Sequence, residues 1–111
     1  MLIYKIVPQD LWQDAVAEGL FTGAEIDHED GYIHFSTAEQ VQETAAKHFA
    51  GQEDLLLVAL DTERFSAIKW EVSRGGALFP HLYGMFRPDQ VVWVKPLPLK
   101  GGVHVFPELG V

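Results

Sequence analysis

Two short stretches carry most of the side chains that could do chemistry. In "DGYIHFST", Asp30 to Thr37, a single histidine, His34, sits among apolar neighbours. In "WEVSRGGALFPHLYG", Trp70 to Gly84, fifteen residues hold Glu71, Arg74, His81 and Tyr83 around a glycine pair and a proline. Histidine and glutamate can exchange protons or face developing positive charge. Arginine can clamp a phosphate or carboxylate through its planar fork, and tyrosine offers an aromatic wall with a polar tip. The chemistry implied is recognition of a small polar molecule in an aromatic-walled cleft, with groups suited to proton transfer.

Each of these residues needs an element to aim it. "YIHFS" has the composition of a strand, so Ile33 and Phe35 would share the core face while Tyr32, His34 and Ser36 point toward solvent or a cleft. Ser36 or Thr37 would cap the following helix, "AEQVQETAAKHF", and Glu39, three residues after Ser36, would complete a capping box. A capped helix start offers free amides to an anion, which places Ser36 among the ligand-binding candidates. "AIKWEVS" would put Glu71 and Ser73 on the face opposite Trp70 and Val72. Gly75-Gly76 permits a sharp turn beside Arg74, and Pro80 forces Phe79 into extended backbone, so that His81 and Tyr83 share a face. The two segments are expected to form the two walls of one cleft.

The remaining elements read as a first strand "LIYKIV", a helix "DLWQDAVAEG" stopped at Gly19, an irregular region from Phe21 to Gly31 with an acidic turn "DHEDG", a strand "DLLLVALD" buried on both faces, a late strand "QVVWVKPL" and a short final "GVHVF". Two helices come early and several strands late, which is an α+β arrangement in a single domain spanning residues 1–111.

Composition narrows the function. There is no cysteine, which removes disulfides, thiolate metal sites and a cysteine nucleophile. His28, His48 and His104 show no zinc-site spacing, and "DHEDG" fails the calcium-loop pattern, so no metal is expected. Neither a nucleophile elbow nor a glycine-rich phosphate loop is present. Eight Lys plus Arg against sixteen Asp plus Glu give a net charge of −8, which repels long nucleic acid. Phosphate contact would need a local pocket, with Lys5 or Arg74 as candidates. No apolar run is long enough to span a membrane, and the start "MLIYKIVPQDLW" is unlike a secretory signal, so a cytoplasmic protein of bacterial type is expected.

Taken together, "IYKI", "AVAEGL", "DGYIHFSTAEQVQETAAKHF", "LVALD", "KWEVSRGG" and "FPHLYG" resemble the bacterial domain-of-unknown-function family DUF952 over nearly the whole chain. More distantly, the order "LIYKI", "AVAEGL", "YIHFSTAEQ" is similar to the opening of the ADP-ribosyltransferase fold, a group that includes NAD-consuming RNA 2′-phosphotransferases. That likeness implies strongly bent, mostly antiparallel split sheets with the two early helices packed on them. It also implies NAD as ligand, and a ribose- or nicotinamide-facing role for His34. Lys5 stands where that group has a first-strand histidine, and Glu71 is a candidate for the catalytic glutamate by chemistry rather than by alignment.

Two functions therefore stand open. One is an NAD-dependent glycosyl or ADP-ribosyl transferase. In it, His34, Glu71 and His81 would be catalytic, and Lys5, Ser36, Arg74 and Tyr83 would bind the ligand. The other is a non-catalytic module that holds an anionic metabolite or nucleotide in the same cleft. A purely structural role for these polar segments is a third, weaker reading. Separation of His34 from His81 in space would remove both cleft functions.

Overall fold

The computed structural model describes residues 1–109, Arg74 by its backbone alone. The first strand, β1 (Leu2–Pro8), runs straight into α1 (Gln9–Glu18), because Pro8 has no amide hydrogen to continue a ladder. Gly19 ends α1 at φ 77°, a left-handed turn that costs glycine little. A short helix α2 (Glu25–Asp30), strand β2 (Ile33–His34) and helix α3 (Val41–His48) follow. The second half supplies β3 (Leu55–Asp61), β4 (Ile68–Val72), β5 (Leu78–Leu82), β6 (Trp93–Leu97) and the small pair β7 (Leu99–Lys100) and β8 (Val103–His104).

These strands form two three-stranded antiparallel sheets and one two-stranded ribbon. The first sheet has the order β1-β3-β6 and the second β2-β5-β4. The two sheets are stitched where Tyr4 of β1 exchanges both backbone hydrogen bonds with Ser36, just beyond β2, at 2.8 Å each. The fold is thus α+β, with antiparallel sheets in one unit, and its Cα radius of gyration of 13.1 Å is that of a single domain of this length.

Alternation along β1 and β3 explains why "DLLLVALD" is apolar throughout. Ile3, Val7, Val58 and Leu60 project to one side of the first sheet, where they meet Trp12, Phe21, Ile33, Phe35, Leu82 and Phe86. Tyr4, Ile6, Leu55, Leu57 and Ala59 project to the other, against Val41 and Ala45 of α3 and Leu97. β1 and β3 are therefore covered on both faces, and between their ends they can spare almost no polar position. Lys5 is the exception, since it projects into the same side as Ile3 and Val7 and is buried there.

Two local expectations change. "EIDHED" forms the helix α2 rather than an irregular turn, closed by Gly31 at φ 84°. The start of α3 is not held by a Ser36–Glu39 box. The reciprocal bonds lie one residue on, with Thr37 N donating to Gln40 Oε1 at 3.0 Å and Gln40 N donating to Thr37 Oγ1 at 3.3 Å. Ser36 is withdrawn from this role because its backbone is taken by Tyr4 and its buried hydroxyl by Thr44 Oγ1 at 3.1 Å. Among the described residues no helix is long and apolar enough to cross a membrane.

Leu57 is fully buried in the middle of β3, between Ile6 and Lys95 in register. Leu57→Ala should cost about 2–5 kcal/mol of unfolding free energy in a urea titration. A loss below about 1 kcal/mol would mean that the α3 side of the first sheet is not tightly packed.

Candidate functional site

One face of the second sheet assembles four of the seven polar residues singled out from sequence, His34, Glu71, His81 and Tyr83. β2 and β5 pair antiparallel with His34 directly opposite His81, and β5 pairs β4 with His81 opposite Lys69. Directly opposed residues carry their side chains on the same face about 5 Å apart, and the His34 and His81 rings lie 5.3 Å apart, edge to face. Stepping two residues along each strand adds Tyr32, Tyr83 and Glu71 to the same face. Tyr32 stacks on His81 at 4.1 Å between ring centroids and lies 4.7 Å from His34 and 5.1 Å from Tyr83. The opposite face of β2 and β5 presents Ile33, Phe35 and Leu82 to the core, as the strand pattern of "YIHFS" implies.

Each imidazole is held by its own carboxylate. His81 Nδ1 lies 2.9 Å from Glu71 Oε1, and Tyr83 OH donates to the same oxygen at 2.6 Å. The Tyr83 hydroxyl and then His81 hold the Glu71 carboxyl below its usual range. In return Glu71 pushes the Tyr83 hydroxyl up to about 12, because the phenol gives up this bond on ionising. Burial, then the charges of Asp30 and Glu71, raise Tyr32 as well. An ionised carboxylate only accepts, so Nδ1 of His81 donates and Nε2 is the ring atom left over. His81 is 1 % exposed and its Nε2 has no hydrogen-bond partner among the described residues.

His34 is held more tightly, by a residue the sequence did not single out. Asp27 Oδ1 accepts from His34 N at 3.0 Å and lies 2.6 Å from His34 Nδ1, while Asp27 Oδ2 accepts from Ala24 N at 2.7 Å. Lys5 Nζ reaches Asp27 Oδ2 at 3.0 Å and Oδ1 at 3.3 Å and donates to His34 O at 3.0 Å. Burial alone would raise the Asp27 carboxyl. The His34 hydrogen bonds and the Lys5 charge outweigh it and hold Asp27 well below the usual carboxylate range. Burial lowers the Lys5 ammonium, against the opposing attraction of Asp27. On the outer side, His34 Nε2 lies 2.9 Å from Asp30 Oδ2.

The structure thus brings His34, Glu71, His81 and Tyr83 together and sets Lys5 and Ser36 apart. Lys5 does not face the ligand side, since its ammonium is committed to Asp27 and to the His34 carbonyl. Ser36 is buried behind β2. Arg74 begins the one-turn 3₁₀ segment Arg74–Gly76, where Gly75 has φ 73°, but its side chain lies outside the described residues. Tyr32, Asp30 and Asp27 are the additions. Strand alternation puts Tyr32 on the face of His34 without assigning it a role, and Asp30 carried no local signal because it ends α2 while His34 lies on β2. Asp27 carried no local signal. Beside the cluster lies a hollow of about 240 Å³ lined by Thr22, Asp27, His28, Tyr32, Gly84 and Met85, among others. Tyr32 both lines it and covers His81, so the cluster is closed from that side.

Removing one partner of a buried ion pair strands the other charge. Lys5→Met or Asp27→Asn alone should therefore cost about 3–5 kcal/mol, and the double change to Met and Leu much less than the sum. The pair also sets an acid response. The folded Asp27 carboxyl stays ionised where the unfolded one, at about 3.9, takes up a proton. Its contribution is therefore present above about pH 4 and is lost as pH falls toward the depressed folded value. Urea titrations between about pH 6 and 2 should show a shallower acid loss in the double variant. An identical slope would remove Asp27 as a main acid-sensitive group.

Relatives share the fold over nearly the whole chain. Protein CC0527 from Caulobacter crescentus is 47 % identical. Its crystal structure superposes with a TM-score of 0.90, covering 95 % of this chain and 94 % of that one. The solution NMR structure of the same protein gives a TM-score of 0.81 over 92 % of this chain and 90 % of that one. No curated protein matches. Residues 6–94, which include His34, Glu71, Arg74, His81 and Tyr83, match the family described as "Protein of unknown function (DUF952)", and the chain belongs to that family.

Proposed function

We propose that the His34–His81 cluster binds the nicotinamide–ribose end of NAD or a related nucleotide and cleaves its glycosidic bond, as an ADP-ribosyltransferase does. The observation that carries this reading is the 5.3 Å approach of two imidazoles on one sheet face, each against a carboxylate and both in ring contact with Tyr32. Tyr32 and Tyr83 offer ring faces to a flat cation. Asp30 and Glu71 give the surroundings the sign that favours a pyridinium ring and a cationic sugar carbon. Glu71 would face the positive charge that develops when the bond to nicotinamide breaks. His34 would accept a ribose hydroxyl, and His81 would take the proton of the attacking group.

The diphosphate end is less well provided for. Lys5 is neutralised by Asp27, and Lys69 already lies with its Nζ 4.9 Å over the Tyr83 ring. Phosphate contact then falls to Arg74 and Lys69. This supports a second reading, a module that holds a small ligand through the aromatic and carboxylate groups without turning it over.

Melting temperature with millimolar NAD, ADP-ribose or nicotinamide separates these readings, because a ligand of the folded state at 100 times its Kd adds about 2.7 kcal/mol. The transferase reading expects a rise with NAD and release of nicotinamide. In Glu71→Gln the rise should survive while release falls by roughly 100-fold or more. A rise without release in the parent protein assigns the binding module. No rise with any of the three removes NAD.

A further inference from the structure

We propose that Asp27, with Lys5 as its charge partner, is a positioning residue that fixes the tautomer of His34 and leaves its Nε2 as an acceptor for a ligand hydroxyl or amide. The proposal rests on the cleft reading only in making His34 a ligand contact. The tautomer itself is a property of the free protein.

Asp27 and Lys5 between them hold three of the four polar atoms of residue 34. The Asp27 carboxylate takes the backbone N–H and lies against Nδ1, and the Lys5 ammonium takes the carbonyl. Nε2 faces the open side, where Asp30 Oδ2 lies 2.9 Å away. The site is built around this contact. The Asp27 side chain is 1 % exposed, and Gly23, at φ 117°, passes so close that a Cβ there would lie 2.8 Å from Asp27 Cβ. Such a buried ion pair is weak as a source of stability compared with apolar packing of the same volume. Orienting a ligand-facing ring accounts for a pair that stability alone does not require.

Two carboxylates compete for the single hydrogen of a neutral His34 ring. Asp27 lies 2.6 Å from Nδ1, is shielded from water, and has its other oxygen fixed by Ala24 N and Lys5. Asp30 lies 2.9 Å from Nε2 on a side chain 40 % exposed, where water competes for it. In the neutral ring the buried, preorganised acceptor wins, so the hydrogen sits on Nδ1, and the exposed Asp30 carboxylate must swing off the Nε2 lone pair for that atom to accept from a ligand. His81 follows the same pattern with Glu71 on Nδ1. Both rings then present Nε2 as acceptor, and the group that satisfies them must bring hydrogen-bond donors.

The test is nitrogen-15 NMR of the histidine rings in the intact protein, at a pH where the rings are neutral. In the parent protein His34 should show a protonated Nδ1 and a bare Nε2. Asp30→Asn, an exposed change, should leave that pattern intact. In the double variant Lys5→Met with Asp27→Leu, which leaves no unpaired buried charge, the hydrogen should move toward Nε2 and Asp30, while His81 keeps its pattern. A parent protein with the hydrogen on Nε2 overturns the proposal without any variant. So does a folded double variant whose His34 pattern is unchanged, or loss of the pattern in Asp30→Asn. If the tautomer behaves as stated and no ligand binds, the proposed function fails alone. If NAD binds and the tautomer does not depend on Asp27, this inference fails alone.

Discussion

The arrangement of the polar cluster depends on one carboxylate. Asp27 collects hydrogen bonds from α2, from β2 and from the ammonium of β1, and so joins three segments that are separate in sequence. Two opposite charges taken out of water at 3.0 Å stabilise each other only while every remaining lone pair and proton has a partner. Here each does, and the geometry of β2 is fixed as a consequence. If the pair were lost, the backbone of His34 would keep its bond to β5, but the ring would be free to turn.

The second constraint is the register of the second sheet. Because the side-chain period of a strand is two residues, a slip of one between β2 and β5 would send His81 to the core face and Leu82 to the cleft. The apolar set on the inner face prevents this, since Ile33, Phe35 and Leu82 pack with Phe21 and Phe86. Core packing on one face therefore positions the polar cluster on the other. The pair of imidazoles is a by-product of keeping Ile33, Phe35 and Leu82 dry.

These two constraints differ in how visible they are from sequence. The alternation in "YIHFS" and the proline-directed "FPHLY" identify which side chains share a face, because that information is local. Sequence alone does not carry the pairing of His34 with His81, 47 positions apart, but the grouping of polar residues in two segments points to it. The Lys5–Asp27 pair was not legible. A lysine between apolar residues on a strand reads as an exposed or ligand-facing charge until its counter-charge is found, and here that lies 22 residues away. "EIDHED" looked irregular because a six-residue helix with Ile26 exposed has no apolar period to read. Its hold comes from Asp27 folding back onto Ala24 and from the left-handed Gly31. The capping box was misplaced by one residue because Ser36 and Thr37 are chemically alike, and only the bridge to Tyr4 decides between them.

The same face shows why the cluster is closed. His81 Nε2 without a partner costs the folded protein about 1–3 kcal/mol as a buried unsatisfied group. The stacking of Tyr32 on that ring returns about 0.5–1.5 kcal/mol beyond the area it covers. The two terms are of similar size and opposite sign. Tyr32 thus hides an acceptor it cannot satisfy, and any group that reaches Nε2 with a donor removes the penalty while Tyr32 loses only a stack. Tyr32 also lines the neighbouring hollow of about 240 Å³. With Lys5 neutralised by Asp27 and with Asp30 and Glu71 beside the two rings, the charges around the cluster disfavour an anion there.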